Sequence, residues 1–124
     1  MAQKNWRSDQ SRDQYFIKAR KLGYRSRSVF KLKEIDQKYK LIKKESRILD
    51  LGSSPGGWSE YISNNHLVKT IIASDIQPME SIDNVKFILG DFTDNETQQN
   101  IIRLNKNQKF NLILSDISTK KTGN

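Results

Sequence analysis

The stretch Leu49–Tyr61, LDLGSSPGGWSEY, joins a short apolar run to a segment of helical pattern through a turn rich in glycine and proline. Gly52, Gly56, Gly57 and one proline all fall within six residues of this turn. Because glycine loses more backbone entropy on folding than any other residue, such a cluster marks a tight reversal or a close approach of backbone to a ligand. The stretch therefore predicts a strand, a ligand-binding loop and a helix, in that order.

Segments of strand and helical pattern alternate beyond this loop. Strands are predicted in RILDLG, KTIIASDI, VKFILGD and KFNLILSD, and helices in WSEYISNN and NETQQNIIRLNKN. Two earlier helices are predicted, one from about Ser11 to Gly23 and one from about Ser28, whose apolar face is Val29, Leu32, Ile35 and Tyr39. This alternation indicates an α/β fold with a parallel, doubly wound sheet. We expect residues 1–45 to form a basic helical extension and residues 46–124 a Rossmann-like domain.

Composition excludes several classes of protein. The 124 residues suffice for one domain, and no apolar run approaches the roughly 20 residues that cross a bilayer. Cysteine is absent, which excludes disulfides, thiolate nucleophiles and cysteine zinc sites. The single histidine, His66, cannot build a histidine metal cluster. With no secretory signal in MAQKNWRSDQ, we expect a cytoplasmic protein with no membrane segment and no metal.

The net charge of +8 is concentrated at one end of the chain. Residues 1–50 contain 15 Lys/Arg and 6 Asp/Glu, whereas residues 51–124 contain 7 and 8. Clustered cations favour a polyanion by releasing its counterions, so the asymmetry predicts an RNA partner. The candidate RNA-binding residues are Arg25, Arg27 and Lys31. Aromatic residues lie among these cations, and they suit either base stacking or packing against the core.

Each predicted strand ends at an aspartate: Asp50, Asp75, Asp91 and Asp116. In parallel α/β sheets, ligands bind in the crevice outside the carboxyl ends of the strands. One aspartate at such a position is ordinary, because aspartate favours turns and helix caps. Four aspartates, expected to lie in register along one edge, indicate a binding site.

The spacing and chemistry of the loop favour S-adenosyl-L-methionine over a nicotinamide cofactor. Asp75 follows Gly52 by 23 residues, near the roughly 20 expected for an acid that binds ribose hydroxyls. The loop reads G-x-x-P-G-G rather than G-x-G-x-x-G, and a row of carboxylates would repel a pyrophosphate. A sulfonium cation suits the acidic edge, so a nicotinamide dehydrogenase is the weaker alternative.

Five blocks together carry a family resemblance: GYRSRSVFKLKEI, LDLGSSPGGWSEYI, SDIQPME, GDFTD and LILSDIS. In order and spacing they resemble the FtsJ-type ribosomal RNA methyltransferases, from about Ser11 to Gly123. The resemblance implies a Rossmann-like S-adenosylmethionine-dependent methyltransferase fold. It also implies 2′-O-methylation of a uridine ribose in 23S ribosomal RNA, as part of the assembled large subunit.

The resemblance also assigns cofactor-binding residues. Gly56 and Trp58 would line the methionine and ribose side of the cofactor. Asp75 would bind the ribose hydroxyls and Asp91 the adenine amino edge. Asp116 would lie near the methyl group that is transferred.

For catalysis, the resemblance matches Lys31 and Asp116 to the first lysine and the aspartate of a Lys-Asp-Lys-Glu tetrad. A lysine of depressed pKa would take or steer the proton of the ribose hydroxyl, a poor nucleophile. The family's second lysine and glutamate have no counterpart in these 124 residues, so we expect an N-terminal, cofactor-binding portion whose fourth strand has an uncovered edge. The alternative is an inactive remnant that binds RNA and S-adenosylmethionine.

Overall fold

Four parallel strands form the centre of the protein, seen in a computed structural model that describes residues 14–115. The strands are β1 (Arg47–Leu51), β2 (Thr70–Asp75), β3 (Val85–Leu89) and β4 (Leu112–Ser115). Their order in the sheet is β3-β2-β1-β4, which puts β1 between strands that follow it by one and by three steps along the chain. The predicted parallel α/β sheet is confirmed.

Residues 14–115 also contain four helices. The first, α1, is described over residues 14–21; it is followed by α2 (Val29–Tyr39), α3 (Gly57–Asn65) and α4 (Asn95–Leu104). Helix α1 gives way to a turn at Gly23, whose φ of 79° is accessible to glycine at little cost. Helix α3 follows the glycine-rich loop directly, with Gly56 as its N-cap.

The two faces of the sheet carry separate apolar clusters. Helices α2 and α3 cover one face, and the buried residues there include Val29, Leu32, Ile48, Ile62 and Ile71. Helix α4 covers the other face, where Ile101 packs with Leu49 and Ile72. Because Val29 and Leu32 share a cluster with strand residues, the predicted extension packs into the core of the α/β unit. Its boundary at residue 45 stays a prediction.

Helix α2 buries Val29 and Leu32 as predicted but differs from the prediction further along. Tyr39, expected on the apolar face, is 65% exposed, whereas Asp36 is only 6% exposed. Asp36 accepts hydrogen bonds from Ile42 N–H (3.0 Å) and the Tyr61 hydroxyl (2.9 Å), and its Oδ2 lies 2.7 Å from His66 Nε2. A buried polar cluster thus fastens α2 to α3.

This cluster alters two pKa values. Burial opposes ionisation of Asp36, but the bonds from Ile42 N–H, His66 and Tyr61 outweigh it and hold the pKa of Asp36 below its ordinary value. Burial, together with the bond to Asp36, raises the pKa of Tyr61 to about 12. Asp36 is therefore a carboxylate at neutral pH, and Tyr61 donates to it.

Among the described strands, β4 borders only β1. Leu114 is buried against the α2 and α3 side, while Ile113 on the opposite face is 58% exposed. The uncovered edge that the sequence predicts for this strand is therefore present within residues 14–115. Across the same residues, none of the helices has the length and apolar character that a bilayer span requires.

Candidate cofactor site

A cleft of about 530 Å³ lies at the carboxyl end of β1. The order of the strands reverses here, because the chain places β2 on one side of β1 and β4 on the other. In open α/β sheets this switch point is where ligands bind. The lining residues come from α1, from the loop between α1 and α2 (residues 22–28, the basic loop), from β1, and from the glycine-rich loop with the start of α3. They are Phe16, Arg25, Ser26, Arg27, Ser28, Asp50, Gly52, Ser53, Ser54, Pro55, Gly57 and Trp58.

The glycine-rich loop uses its first three N–H groups within the chain. Gly52 N–H and Ser53 N–H donate to the Ser74 carbonyl oxygen at 2.9 and 3.2 Å. Ser54 N–H donates to Oδ2 of Asp75 at 2.8 Å. A loop that binds a pyrophosphate needs such groups free to face the ligand. The first three N–H groups of this loop are therefore not available to a phosphate.

The glycines of the loop serve two structural purposes. Gly52 and Gly56 have φ values of 69° and 110°, where a side chain is strained. At Gly57, an added Cβ would lie 2.5 Å from Ser26 Oγ and 2.8 Å from Val29 Cγ2. The absence of a side chain at Gly57 thus lets Ser26 and Val29 of the N-terminal extension pack against α3. The sequence alone had suggested a turn or the approach of a ligand.

Asp75 ends β2 and joins two loops. Its Oδ2 accepts from Ser54 N–H in the β1–α3 loop, and its Oδ1 accepts from Gln77 N–H at 3.0 Å. A carboxylate offers about four lone-pair sites, so both oxygens retain capacity for ligand hydroxyls. Asp75 is half-buried and held in a fixed position, as a ribose-binding acid needs to be.

The sequence predicts four strand-end aspartates in register, but the three that lie within residues 14–115 do not form such a row. Asp50 pairs with Ala73 and Leu114, two residues short of the level of Asp75. It is buried, and its Oδ2 accepts a hydrogen bond from the Ser59 hydroxyl at 2.7 Å. Alternate residues of a strand face the same side of the sheet, so Asp50 lies on the side of Ile48, which α3 covers. Asp50 therefore contacts α3 through Ser59.

Asp91 lies two residues beyond Leu89, the partner of Asp75 in the sheet. It is exposed, and its Oδ1 accepts from both N–H and hydroxyl of Thr93 at 2.9 and 2.7 Å. These two donors hold the pKa of Asp91 below its ordinary value. Neither Asp75 nor Asp91 lines the cleft itself, and Asp116 falls outside the described residues.

Trp58 contacts the extension as well as the cleft. Its Nε1–H donates to the Ser28 carbonyl oxygen at 2.9 Å, and its ring packs beside the buried cluster. The indole therefore ties the start of α3 to the loop that leads into α2. Its role toward a cofactor stays a prediction.

The three candidate RNA-binding residues differ in their surroundings. Arg27 is exposed in the loop before α2, and Lys31 is exposed in the first turn of that helix. Arg25 instead donates to Glu60, Pro55, Glu80 and Ser81, and its side chain is only 19% exposed. The geometry of Arg25 is that of an internal clamp, which a pattern of basic residues does not reveal.

No cluster of three histidine, cysteine, aspartate or glutamate side chains placed to hold a metal ion occurs within residues 14–115.

Fold and cleft together define a doubly wound α/β protein with a glycine-rich loop at the switch point and acids at the ends of β2 and β3. Residues 24–124 match the FtsJ-like methyltransferase family, and the chain belongs to it.

Two relatives are similar over nearly the whole chain, and both are named ribosomal RNA large subunit methyltransferase E. The protein from Francisella tularensis subsp. holarctica (strain FTNF002-00 / FTA) is 45% identical over 98% of this chain. The protein from Legionella pneumophila (strain Lens) is 44% identical over 97%. The chain spans 59% of the length of each relative.

A solved structure has the same fold. The crystal structure of a ribosomal RNA methyltransferase from Plasmodium falciparum superposes with a TM-score of 0.71 and 34% sequence identity. The match covers 82% of this chain and 60% of that one. Fold and sequence thus agree on a ribosomal RNA methyltransferase relationship.

Proposed function

We propose that this chain binds S-adenosylmethionine at the β1–α3 loop, as part of a methyltransferase acting on a uridine ribose 2′-oxygen of 23S ribosomal RNA. The observation that carries the cofactor assignment is the internal use of the Gly52, Ser53 and Ser54 N–H groups, with Asp75 fixed beside them. Because the chain spans 59% of its relatives' length, the complete reaction is proposed for the whole protein. The proposed setting is the large ribosomal subunit in the cytoplasm.

The described residues suit such a cofactor. A cleft of about 530 Å³ falls within the range that holds ligands of this size. Asp75 offers acceptors to ribose hydroxyls, exposed Asp91 offers one to an adenine amino group, and Trp58 and Gly56 flank the loop. When bound, S-adenosylmethionine supplies an electrophilic methyl group on a sulfonium cation, which nearby carboxylates stabilise.

The RNA is proposed to approach from the side of the basic loop. Arg27 and Lys31 are exposed there, and Arg27 lines the cleft. Lys31 is proposed to contact the ribose and steer its 2′-hydroxyl proton, with Asp116 as its partner in catalysis. The inactive RNA-binding remnant is the competing function, since the basic residues alone account for RNA affinity.

Calorimetric titration with S-adenosylmethionine tests the cofactor assignment. Saturable heat is expected, with no comparable heat from NAD. Binding of NAD without binding of S-adenosylmethionine would support a dehydrogenase and contradict the proposal. Methyl transfer to 23S RNA, measured with and without the remaining segment of a full-length relative, separates the enzyme from the remnant.

The first prediction concerns the acid at the end of β2. Asp75→Asn should raise the Kd for S-adenosylmethionine roughly tenfold, since a hydrogen bond to a charged group contributes about 1.5–3 kcal/mol. Asp83→Asn, an exposed acid in the following loop, should leave the Kd unchanged. RNA affinity should be the same in both variants, because equal loss of both ligands would indicate misfolding.

The second prediction concerns the basic loop. Arg27→Ala should reduce the slope of log K against log salt for RNA binding by about 0.7–0.9, the contribution of one phosphate contact. Fluorescence anisotropy with a fragment of 23S RNA across a range of salt concentrations gives this slope. Arg103→Ala on α4 is the control, since Arg103 is exposed on the helix that covers the other face of the sheet. An unchanged slope in Arg27→Ala would remove this loop from the RNA site.

A further inference from the structure

Arg25 occupies an unusual position for a residue of a basic loop. Its Nε–H donates to Glu60 Oε2 at 3.2 Å, which ties it to α3. Its Nη1 donates to the carbonyl oxygens of Pro55 (3.1 Å) and Glu80 (2.8 Å), and its Nη2 to that of Ser81 (3.1 Å). Four of the five N–H groups of the guanidinium are therefore used within the chain.

These acceptors belong to the two loops that frame the candidate cofactor site. Pro55 lies in the β1–α3 loop, while Glu80 and Ser81 lie in the segment that follows β2. The second segment is partly exposed: Ile76, Glu80 and Ser81 face solvent, whereas the side chains of Met79 and Ile82 lie beside Gly56 of the first loop. Hydrogen bonds across to the first loop therefore act together with these apolar contacts to set its position.

Hydrogen bonds that do not involve Arg25 also bridge the two loops. Ser54 Oγ donates to the Pro78 carbonyl oxygen at 3.0 Å, and Ser53 Oγ lies 3.6 Å from Met79 Sδ. Asp75 is the third link, with one carboxylate oxygen bonded to each loop. Any change in the spacing of the loops would therefore alter the position of the Asp75 carboxylate.

We infer that Arg25 is a positioning residue that fixes the spacing of these two loops and so holds Asp75 ready for the cofactor. This inference rests on the proposed cofactor site. Arginine suits the task because its planar fork presents donors in several fixed directions, whereas the ammonium of lysine is a compact point charge on a flexible stem. When the loops are ordered beforehand, the cofactor does not have to order them on binding.

The test compares Arg25→Lys with two controls, using S-adenosylhomocysteine as the probe in calorimetry. Arg25→Lys keeps the charge and loses the fork, and it should raise the Kd roughly tenfold or more. Arg47→Lys removes a comparable clamp, from Arg47 to Asn105, at the opposite end of β1, and should leave the Kd unchanged. Glu60→Gln keeps an acceptor for Nε–H and should have a smaller effect than Arg25→Lys.

Hydrogen exchange in the ligand-free protein provides a second readout. The amide protons of Ser54 and Gln77, both bonded to Asp75, should exchange faster in Arg25→Lys and at the wild-type rate in Arg47→Lys. If neither exchange nor Kd changes in Arg25→Lys, or if Glu60→Gln weakens binding equally, the inference is wrong. If the wild type does not bind S-adenosylhomocysteine, the proposed function is wrong. If, in addition, the exchange rates are unchanged in Arg25→Lys, the inferred positioning role of Arg25 is wrong as well.

Discussion

Asp36→Ala should lower the free energy of unfolding by about 3 kcal/mol at neutral pH. The substitution leaves Ile42 N–H and the Tyr61 hydroxyl without their acceptor in a buried place, and it removes the link between α2 and α3. Urea unfolding followed by circular dichroism gives the magnitude. Glu34→Ala, an exposed position on the same helix, is the matched control and should change stability by no more than about 0.5 kcal/mol.

The same substitution should also alter the dependence of stability on pH. Because the pKa of Asp36 is lower in the folded protein than its ordinary value of 3.8, its contribution is complete above that value and is lost as the pH falls through the folded pKa. The difference in the free energy of unfolding between wild type and Asp36→Ala should therefore become smaller below about pH 4. If this difference in free energy stays constant down to pH 3, the negative charge of Asp36 contributes nothing to stability.

Gly57→Val should destabilise the fold by about 3 kcal/mol, with Gly57→Ala less severe. The added Cβ lies 2.5 Å from Ser26 Oγ and 2.8 Å from Val29 Cγ2, so either the extension or α3 must move. Adding Ser26→Ala to Gly57→Ala should recover part of the loss, because it removes the nearer of the two atoms. Thermal unfolding of the four variants, including Ser26→Ala alone, measures this coupling.

This series also separates two uses of the glycine. If Gly57 is bare so that a ligand can approach, its variants should keep wild-type stability and lose only cofactor affinity. If it is bare to admit Ser26 and Val29, stability should fall before any ligand is added. The second result is expected.

The elements of the fold could be predicted from the sequence because their signals are local. The run RILDL is bounded by a charged segment and by Gly52, and β1 occupies Arg47–Leu51. The segment NETQQNIIRLNKN, predicted to be a helix, contains α4 (Asn95–Leu104), in which Ile101 is buried. Short apolar runs rich in β-branched residues and bounded by turn residues are typical of the buried strands of a parallel sheet.

Features that depend on distant partners could not be predicted. A carboxylate is an improbable core residue until Tyr61 and His66 supply donors, 25 and 30 positions further along. Arg25 lies among basic residues in the sequence, as an RNA-binding arginine would, and three of its four acceptors are backbone carbonyls, which no sequence pattern reveals. The register of Asp50 against Asp75 likewise depends on strand pairing, which a one-residue shift changes completely.

The position of β1 at the centre of the sheet governs the order in which the chain can be assembled during synthesis. Its first neighbour, β2, follows closely, but the bond between Arg47 N–H and the Asn111 side chain spans 64 residues. A ribosome that adds roughly 5–20 residues per second needs several seconds to supply them. Throughout that interval one edge of β1 has no partner from its own chain and is open to strands of other molecules. The strand β1 is thus enclosed only once β4 has been synthesised, and the rate of translation through residues 52–115 sets how long this edge of β1 stays open.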